Sequence, residues 1–380
     1  QLFPGFEKDL AAAGAVPLTA GLDVRVEPPG YDPFPQRDLG WTVYSMSRPL
    51  IEFVVRKRLE QVANVTVLPS CRVREILAAD GKTVSGVRCD GDRASTEILP
   101  ADFVVDASGQ GALTLSLLEA IGLPRPAETV IGVDIGYSTA IFDIPDDAPA
   151  GWKGVMTFPK APESSRGALL LPLEGRRWML SLGGRHSDKP PGDPDGFMAF
   201  TQGLRTPTIY DAVRHAKRVS DVARFAFPGS VRRQFQPSAS FPRGLLPVAD
   251  AICRFNPVYG QGMSVAAQEA VLLERVLGKL ATSPDPLGGL AKAFFAEVQT
   301  VLEAPWELSA IPDFVFPDTE GQRPPNLEMT LKFARALTLL ASRDPEVHKL
   351  NAQVQGLLRP RTAYLDPALM QRVMAAMAEV

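Results

Sequence analysis

The stretch that decides the fold is GLLPVADAICRFNPVYGQGMSVAAQEAVLLERVL, residues 244–277. Its apolar run Leu245–Val248 predicts a short strand, which leads to a single carboxylate at Asp250. A turn rich in proline and glycine follows, and the amphipathic pattern from Met263 onward predicts a long helix. A carboxylate at a strand end, beside a glycine-lined helix start, is an arrangement that suits a bound ligand.

Asp250 is the first candidate for contact with that ligand. An unpaired buried carboxylate costs free energy, so Asp250 needs donors, and the hydroxyls of a sugar-like chain would supply them. The positive end of the following helix favours an electron-rich or anionic ligand atom. The same residues allow a second interpretation, in which the glycine-rich loop caps a core helix and Asp250 is an N-cap or a salt-bridge partner.

A second strand, turn and helix occur in ADFVVDASGQGALT, residues 101–114. The run Phe103–Val105 does not alternate, which predicts a strand buried on both faces. It ends on Asp106, and small residues follow, which would let another group approach the backbone closely. The turn is not a dinucleotide fingerprint, because Thr114 stands where GxGxxG requires its third glycine. A plain strand-to-helix turn explains this stretch as well as a ligand contact does.

Composition narrows the class of protein. The chain has 380 residues, 45% hydrophobic, and a net charge of −3, with no sustained block of lysine and arginine. These values predict a globular protein that does not bind nucleic acid or an anionic membrane surface. Three scattered cysteines argue against a zinc site or a disulfide framework and favour a reducing, cytoplasmic location. No apolar run approaches the roughly 18 residues of a transmembrane helix.

The remaining patterns predict an α/β protein in which an antiparallel sheet interrupts the α/β framework. A helix is expected over Ser47–Val62, antiparallel strands over 127–185, a helical insertion near 194–218, and helices beyond about residue 285. Arg232 and Arg233 are predicted to lie at a solvated sheet edge. The boundaries expected from these changes of pattern divide the chain into four segments: 1–126, 127–243, 244–285 and 286–380.

Three segments resemble the FAD-dependent monooxygenase superfamily, which includes aromatic hydroxylases and squalene-epoxidase-like flavoproteins. DFVVDASGQGALT is similar to the second cofactor motif of that superfamily, LLPVADAICRFNPVYGQGMSVAAQEAVLL to the third, and SRPLIEFVVRKRL to a segment that carries an arginine. Their order and spacing match over most of the chain. The resemblance implies a Rossmann-like FAD-binding domain formed by 1–126 and 244–285, an inserted substrate domain, and a C-terminal helical region.

The resemblance also implies roles for particular residues. Asp250 would bind the ribityl chain of FAD, and the turn and helix start after it would cradle the isoalloxazine ring. Arg48 would lie near the phosphates and the ribityl chain, and Tyr259 could touch the ring or the substrate. The cofactor-binding residues expected in this way are Arg48, Asp106, Gly109, Asp250, Pro257, Gly260, Gly262 and Met263; no catalytic side chain is identified.

The function implied is insertion of one oxygen atom from O2 into a hydrophobic small molecule, by hydroxylation or epoxidation through a flavin C4a-(hydro)peroxide. NAD(P)H would be the electron donor, and the antiparallel sheet across 127–243 would provide the substrate face. A flavin-dependent reductase of prenyl chains shares these motifs. A non-catalytic remnant that binds a lipid-like ligand or a protein is the third alternative.

Two positions depart from the superfamily pattern. Ala249 replaces the glycine that usually precedes the ribityl-binding aspartate, and little harm is expected from so small a side chain. The first motif, a strand with the GxGxxG turn that receives the pyrophosphate, is absent and should precede residue 1. The pattern of residues 1–15 predicts a helix that already includes Gln1, so we expect that the chain is truncated, lacks its main pyrophosphate site and binds FAD poorly.

Overall fold

The computed structural model describes residues 2–90, 96–235 and 241–380. Within these ranges the strands are β1 Val16–Thr19, β2 Val24–Glu27, β3 Thr42–Ser45, β4 Arg72–Ala78, β5 Val84–Asp90, β6 Thr96–Pro100, β7 Val104–Asp106, β8 Ala127–Asp143, β9 Gly154–Thr157, β10 Gly167–Leu173, β11 Arg177–Arg185, β12 Ala223–Gln234, β13 Leu245–Pro247 and β14 Cys253–Arg254. The α-helices are α1 Phe6–Ala12, α2 Arg48–Leu59, α3 Ala112–Ala120, α4 Pro194–Gln202, α5 Thr208–Val213, α6 Gly262–Leu280, α7 Pro286–Ser309, α8 Leu327–Arg343, α9 Pro345–Gln355 and α10 Pro367–Ala376.

A seven-stranded sheet, in the order β14-β12-β8-β11-β10-β9-β2, forms the centre of this mixed α/β fold. All of its pairings are antiparallel except that between β2 and β9. Burial alternates along β8, where Ile131, Val133 and Ile135 point to one face, as expected for a sheet with two different faces. The antiparallel sheet expected over 127–185 is therefore confirmed, and β2, β12 and β14 extend it from outside those residues.

A parallel pair, β7 with β13, lies beside the large sheet. Leu245 is opposite Val104 and Pro247 is opposite Asp106, so the two strands end at the same edge. Each strand leads through a turn into a helix, α3 or α6. The expectation that β7 is buried on both faces is wrong for Val105, whose side chain is 40% exposed. In the described chain the β7–β13 pair is only two strands wide, and Val105 lies on its open face.

Helices α6 and α7 bury one face of the large sheet. Their apolar side chains, among them Val265, Leu272 and Phe294, form one cluster with Ile131 and Phe227 of the sheet. Burying each such side chain contributes about 1.5–3 kcal/mol relative to exposure. This cluster therefore fixes where α6 begins relative to the sheet, and it thereby positions the turn that follows Asp250.

The other helices cover the opposite face and the end of the chain. Helices α4 and α5 bury Phe197, Phe200 and Ile209 against the sheet, which confirms the helical insertion expected near 194–218. Helices α8, α9 and α10 form a separate cluster that also includes Phe34. At the start of the chain α1 begins only at Phe6, because Gly5 adopts a left-handed conformation with φ 73°, so the helix expected from residue 1 is shorter. No helix in the described part of the chain is both long and apolar enough to cross a membrane.

Candidate functional site

The ends of β7 and β13 bring the two predicted motifs into contact. The Val248 N–H donates to the carbonyl of Asp106 at 3.0 Å, which holds the two strand ends together. Gly111, with φ 70°, lies so close to the segment 244–277 that a Cβ there would be 3.2 Å from the carbonyl oxygen of Ala251. Ligands of α/β proteins bind at the carboxyl edge of parallel strands, and this is the edge at which Asp106 and Asp250 lie.

The carboxylate of Asp106 is fully used within its own turn. It accepts hydrogen bonds from the N–H and hydroxyl of Ser108 (3.1 and 2.5 Å) and from the N–H and hydroxyl of Thr114 (3.0 and 2.6 Å). Burial opposes ionisation, but these four donors outweigh it and lower the pKa of Asp106. Asp106 therefore shapes the turn, and Gly109, with φ 98° and no atom near its missing Cβ, leaves the turn backbone open.

The carboxylate of Asp250 differs, since no donor among the described residues hydrogen-bonds to it. Burial raises its pKa, although the charges of Arg254 and Arg48 act in the opposite direction. Arg48 is the first residue of α2 and its side chain is exposed. A half-buried carboxylate without donors is costly, so this site is suited to a ligand that brings hydroxyl or N–H groups.

The turn from Pro257 to Met263 presents apolar side chains and open backbone next to Asp250. Val258 is 60% exposed and Met263 is 58% exposed. Gly260 adopts φ 68°, and nothing lies within 4 Å of the position where its Cβ would be. At Gly262, where α6 begins, a Cβ would lie 3.9 Å from Oδ1 of Asp250. Helix α6 thus points its positive end toward the same space as the carboxylate.

Ala249 occupies a backbone conformation that favours glycine, with φ 54°. The cost for a residue with a Cβ is about 1–2 kcal/mol, whereas glycine is penalised only by about 0.5–1 kcal/mol of extra chain entropy. We therefore expect Ala249→Gly to raise the free energy of unfolding by about 0.5–1 kcal/mol. Denaturant titration measures this, with Ala270→Gly in the exposed part of α6 as the matched control, which should lower stability by about 1 kcal/mol. A lower free energy of unfolding in Ala249→Gly would contradict the inference that the backbone at Ala249 is strained.

Glu269 of α6 holds Ala249 in this conformation. Its side chain is 1% exposed, and its Oε2 accepts from the Ala249 N–H at 2.5 Å. Among the described residues the other oxygen, Oε1, has no hydrogen-bond partner. Burial raises the pKa of Glu269 to about 7; the Ala249 N–H lowers it in part, and the neighbouring charge of Asp250 raises it further. Two carboxyl groups therefore share the site, and the deeper one has a pKa near neutral pH.

The raised pKa of Glu269 predicts a pH dependence of stability. Because the pKa of Glu269 rises from 4.5 unfolded to about 7 folded, its contribution is full below pH 4.5 and is lost as pH rises through 7. The stability lost is about 3 kcal/mol, at about 1.4 kcal/mol for each pKa unit. Glu269→Gln, which still accepts from Ala249, should remove this slope between pH 5 and pH 8 in thermal unfolding measurements. An unchanged slope would contradict the assignment of the proton to Glu269.

The predicted solvated position of Arg233 is wrong. This residue was predicted at a solvated sheet edge together with Arg232, but its side chain is buried and its guanidinium donates to Oε1 of Glu128 at 2.8 Å and to the carbonyl of Ala251 at 3.1 Å. The error arises because β14 pairs with β12 and covers this end of the strand. Arg233 therefore supports the backbone on which Asp250 is carried.

A buried polar network anchors the other end of the turn. Asp313 is 1% exposed, and it accepts hydrogen bonds from Asn256 (3.1 and 3.0 Å), Tyr259 (3.1 Å) and the guanidinium of Arg185. The Tyr137 hydroxyl donates to the side-chain oxygen of Asn256 at 3.0 Å. Burial raises the pKa of Asp313, and Arg185, Asn256 and Tyr259 oppose that rise. The network ties the sheet, the turn and the segment after α7 into one unit.

The structure brings most of the predicted residues to one place. Asp250, Gly260, Gly262 and Met263 adjoin one another, and Arg48 is close enough for its charge to act on Asp250. The hydroxyl of Tyr259 is committed to Asp313, so this group faces the interior. Sequence reasoning missed several residues that build the site: Arg185, Arg254, Asn256, Glu269 and Asp313. Within residues 2–90, 96–235 and 241–380 there is no cluster of three or more side chains that could hold a metal ion.

Glu269 is the missed residue for which the sequence did carry a signal. It shares a helical face with Val265, Leu272 and Val276, at spacings of four, three and seven residues, and that face is buried. A glutamate on such a face must find a partner in the interior. Asp313 offers a weaker signal, as a single acid within the apolar stretch AIPDFVF.

Comparisons with known proteins give one relative and several similar folds. No family model matches the sequence. Protein Rv3254 of Mycobacterium tuberculosis is 31% identical over 324 residues, which cover 83% of this chain and 68% of that protein.

Solved structures resemble the chain over 82–98% of its length, at low sequence identity. The flavin-dependent brominase Bmp2 is 15% identical, with a TM-score of 0.63 over 98% of this chain and 79% of that one. CmlS, a flavin-dependent halogenase, is 16% identical, with a TM-score of 0.60 over 93% and 67%. PqsL of Pseudomonas aeruginosa, described as a probable FAD-dependent monooxygenase, is 15% identical, with a TM-score of 0.59 over 82% of each chain. These likenesses establish the fold.

Proposed function

The chain belongs to the same family as Protein Rv3254 of Mycobacterium tuberculosis, and from that premise and its fold we propose that it is an FAD-dependent monooxygenase. Its reaction is the insertion of one oxygen atom from O2 into a hydrophobic small molecule, with NAD(P)H as the electron donor. The flavin-dependent enzymes that share its fold support a flavin cofactor.

The observation that carries the proposal is the carboxylate of Asp250. It lies at the carboxyl edge of β13, half-buried, with two arginines near it and no donor from the described residues. A plain helix cap or ion pair would use its acceptor capacity, as Asp106 does in the neighbouring turn. Asp250 instead retains that capacity for the hydroxyls of a ribityl chain, which are neutral donors of the required kind.

The surrounding residues fit the other parts of FAD. Val258 and Met263 offer an exposed apolar surface to a planar ring, and the open backbone at Gly260 allows close approach. The positive start of α6 favours the electron-rich edge of the ring. Arg48 supplies a cation for a phosphate, and the turn shaped by Asp106 and Gly109 would contact the adenosine half.

When bound, reduced FAD supplies the electrons that activate O2 for transfer of one oxygen atom. The described residues contribute binding, orientation and exclusion of water. The network around Asp313 holds the turn rigidly, and Glu269 holds the peptide before Asp250. This division of labour agrees with the absence of an assigned acid–base pair among the described residues, because the reactive group belongs to the cofactor.

Reconstitution of the full-length protein tests the cofactor. We expect FAD to remain bound through gel filtration and to be recovered as FAD after heat release, while FMN does not stay bound, because it lacks the adenosine half. Recovery of FMN alone, or of no flavin after incubation with excess FAD, would contradict the proposal. The second outcome would support the non-catalytic remnant.

Oxygen dependence tests the reaction. A monooxygenase consumes NAD(P)H and O2 together, and a product formed under ¹⁸O2 carries the label. Reduction of a prenyl chain by dithionite-reduced protein without oxygen would identify a reductase instead. Bromide or chloride in the assay distinguishes halogenation, the reaction named for two of the similar folds, since the product would then contain the halogen.

A further inference from the structure

A cavity of about 410 Å³ lies between the antiparallel β1–β3 pair and the end of α9. Its walls include Leu18, Val24 and Trp41 on the strand side and Ala352, Gly356 and Leu358 on the helical side. This volume is within the range of small-molecule sites, about 300–1,000 Å³. The cavity is therefore large enough for an organic ligand.

The walls of the cavity select an uncharged ligand. None of the residues that line it carries a charge, and most of them are apolar. Trp41 provides an aromatic surface for a ring. Thr19 and Thr42 lie opposite each other in the antiparallel register of β1 and β3. The Thr19 hydroxyl hydrogen-bonds to the carboxylate of Asp23, whereas no described residue hydrogen-bonds to the Thr42 hydroxyl. One wall thus offers the Thr42 hydroxyl to a polar group of an otherwise apolar molecule.

The cavity adjoins the turn that the proposed cofactor would contact. Gly356 lines it, and the carbonyl of the preceding residue, Gln355, accepts from the side chain of Gln261 at 2.9 Å. Gln261 is the buried residue immediately before α6. On the opposite wall, β3 leads within a few residues to Arg48, at the start of α2. Both walls of the cavity therefore end at elements of the candidate cofactor site.

A second cavity, of about 370 Å³, provides a contrast. It is lined by Ala148, Trp152 and Trp178, but its walls also carry the charged side chains of Lys153, Glu174 and Arg176. A neutral apolar ligand would leave those charges to be desolvated without a partner. The uncharged cavity is therefore the better match for such a ligand.

We propose that the cavity between the β1–β3 pair and α9 is the substrate site, and that it takes a neutral, ring-containing, mainly apolar molecule with a hydroxyl or carbonyl group. Its role in turnover rests on the proposed function, whereas its binding of an apolar molecule does not. The location differs from the expectation that the sheet across 127–243 provides the substrate face. It assigns that role to residues 18–43 and 352–358 instead.

Binding of N-phenyl-1-naphthylamine, a neutral aromatic probe whose fluorescence rises in apolar surroundings, tests the site. The full-length protein is compared with Ala352→Trp, which fills the proposed site, and with Ala148→Trp, which fills the charged cavity. We expect Ala352→Trp to weaken probe binding at least 10-fold and Ala148→Trp to leave it unchanged. Circular dichroism and thermal unfolding verify that both variants fold. If Ala352→Trp does not fold, Ala352→Phe and Trp41→Ala are measured in its place.

The outcomes separate this inference from the proposed function. Probe binding that survives in Ala352→Trp, or is lost only in Ala148→Trp, overturns the assignment even if the protein binds FAD. If no flavin binds but Ala352→Trp still abolishes probe binding, the monooxygenase proposal fails and the apolar site stands. In a flavin-loaded protein, Ala352→Trp should retain its flavin but lose stimulation of NAD(P)H oxidation by apolar phenols and olefins; retained stimulation would overturn the substrate role.

Discussion

Replacing Asp250 with alanine is expected to weaken FAD binding by about 10- to 150-fold, the effect of losing hydrogen bonds to a charged group worth about 1.5–3 kcal/mol. The same substitution should leave the free energy of unfolding unchanged or slightly higher. The reason is that Asp250 receives no hydrogen bond from the described residues and its pKa is raised by burial, so the free protein gains nothing from this carboxylate. Fluorescence titration of FAD into the apo-proteins, beside denaturant unfolding, measures both quantities.

Asp106→Ala is the matched control for Asp250→Ala. Asp106 ends β7 and Asp250 lies in the turn that follows the neighbouring parallel strand β13, but Asp106 accepts four hydrogen bonds within its own turn. We therefore expect Asp106→Ala to lower the free energy of unfolding, with a smaller effect on the affinity for FAD. If Asp250→Ala loses stability and keeps its affinity for FAD, Asp250 is a structural cap, and the main support for the proposed cofactor is removed.

Replacing Asp313 with alanine is expected to lower the free energy of unfolding by about 3–5 kcal/mol, because it leaves the charge of Arg185 buried without its partner. Arg185 is itself buried, and its guanidinium lies 4.4 Å from the ring centroid of Phe316. Asn256 and Tyr259 lose their acceptor in the same variant, so the turn that carries Gly260 should loosen. Thermal unfolding measures the first effect, and the rate of flavin release measures the second.

Two controls define this effect. Arg185→Met combined with Asp313→Leu removes both charges and should recover part of the stability, since no unpaired charge then stays in the interior. Asp146→Ala breaks an exposed ion pair, 3.0 Å between Asp146 and Arg176, whose side chains are 98% and 71% exposed. That variant should unfold like the parent protein. Equal losses in Asp146→Ala and Asp313→Ala would show that burial does not govern the strength of these pairs.

Much of the fold could be predicted because its elements leave local patterns. The apolar runs before Asp106 and Asp250 predicted β7 and β13, and both were followed by the expected helices. Pro49 in the first turn and Ser47 as N-cap set the start of α2, where the Ser47 hydroxyl accepts from the Leu50 N–H at 3.2 Å. Such signals depend on neighbours within a few residues, and for that reason they can be read along the chain.

The sequence by itself determined that the strand–turn–helix units exist, that Asp250 follows a strand and that a glycine-lined turn precedes α6. Only the tertiary structure decided which carboxylates receive hydrogen bonds from the described residues: Asp106 does, and Asp250 does not. It also joined Asp313 to Asn256 and Arg185, which lie 57 and 128 residues away along the chain. Hydrogen bonding and desolvation depend on distances in space, and residues so far apart in sequence leave no local pattern that records their contact.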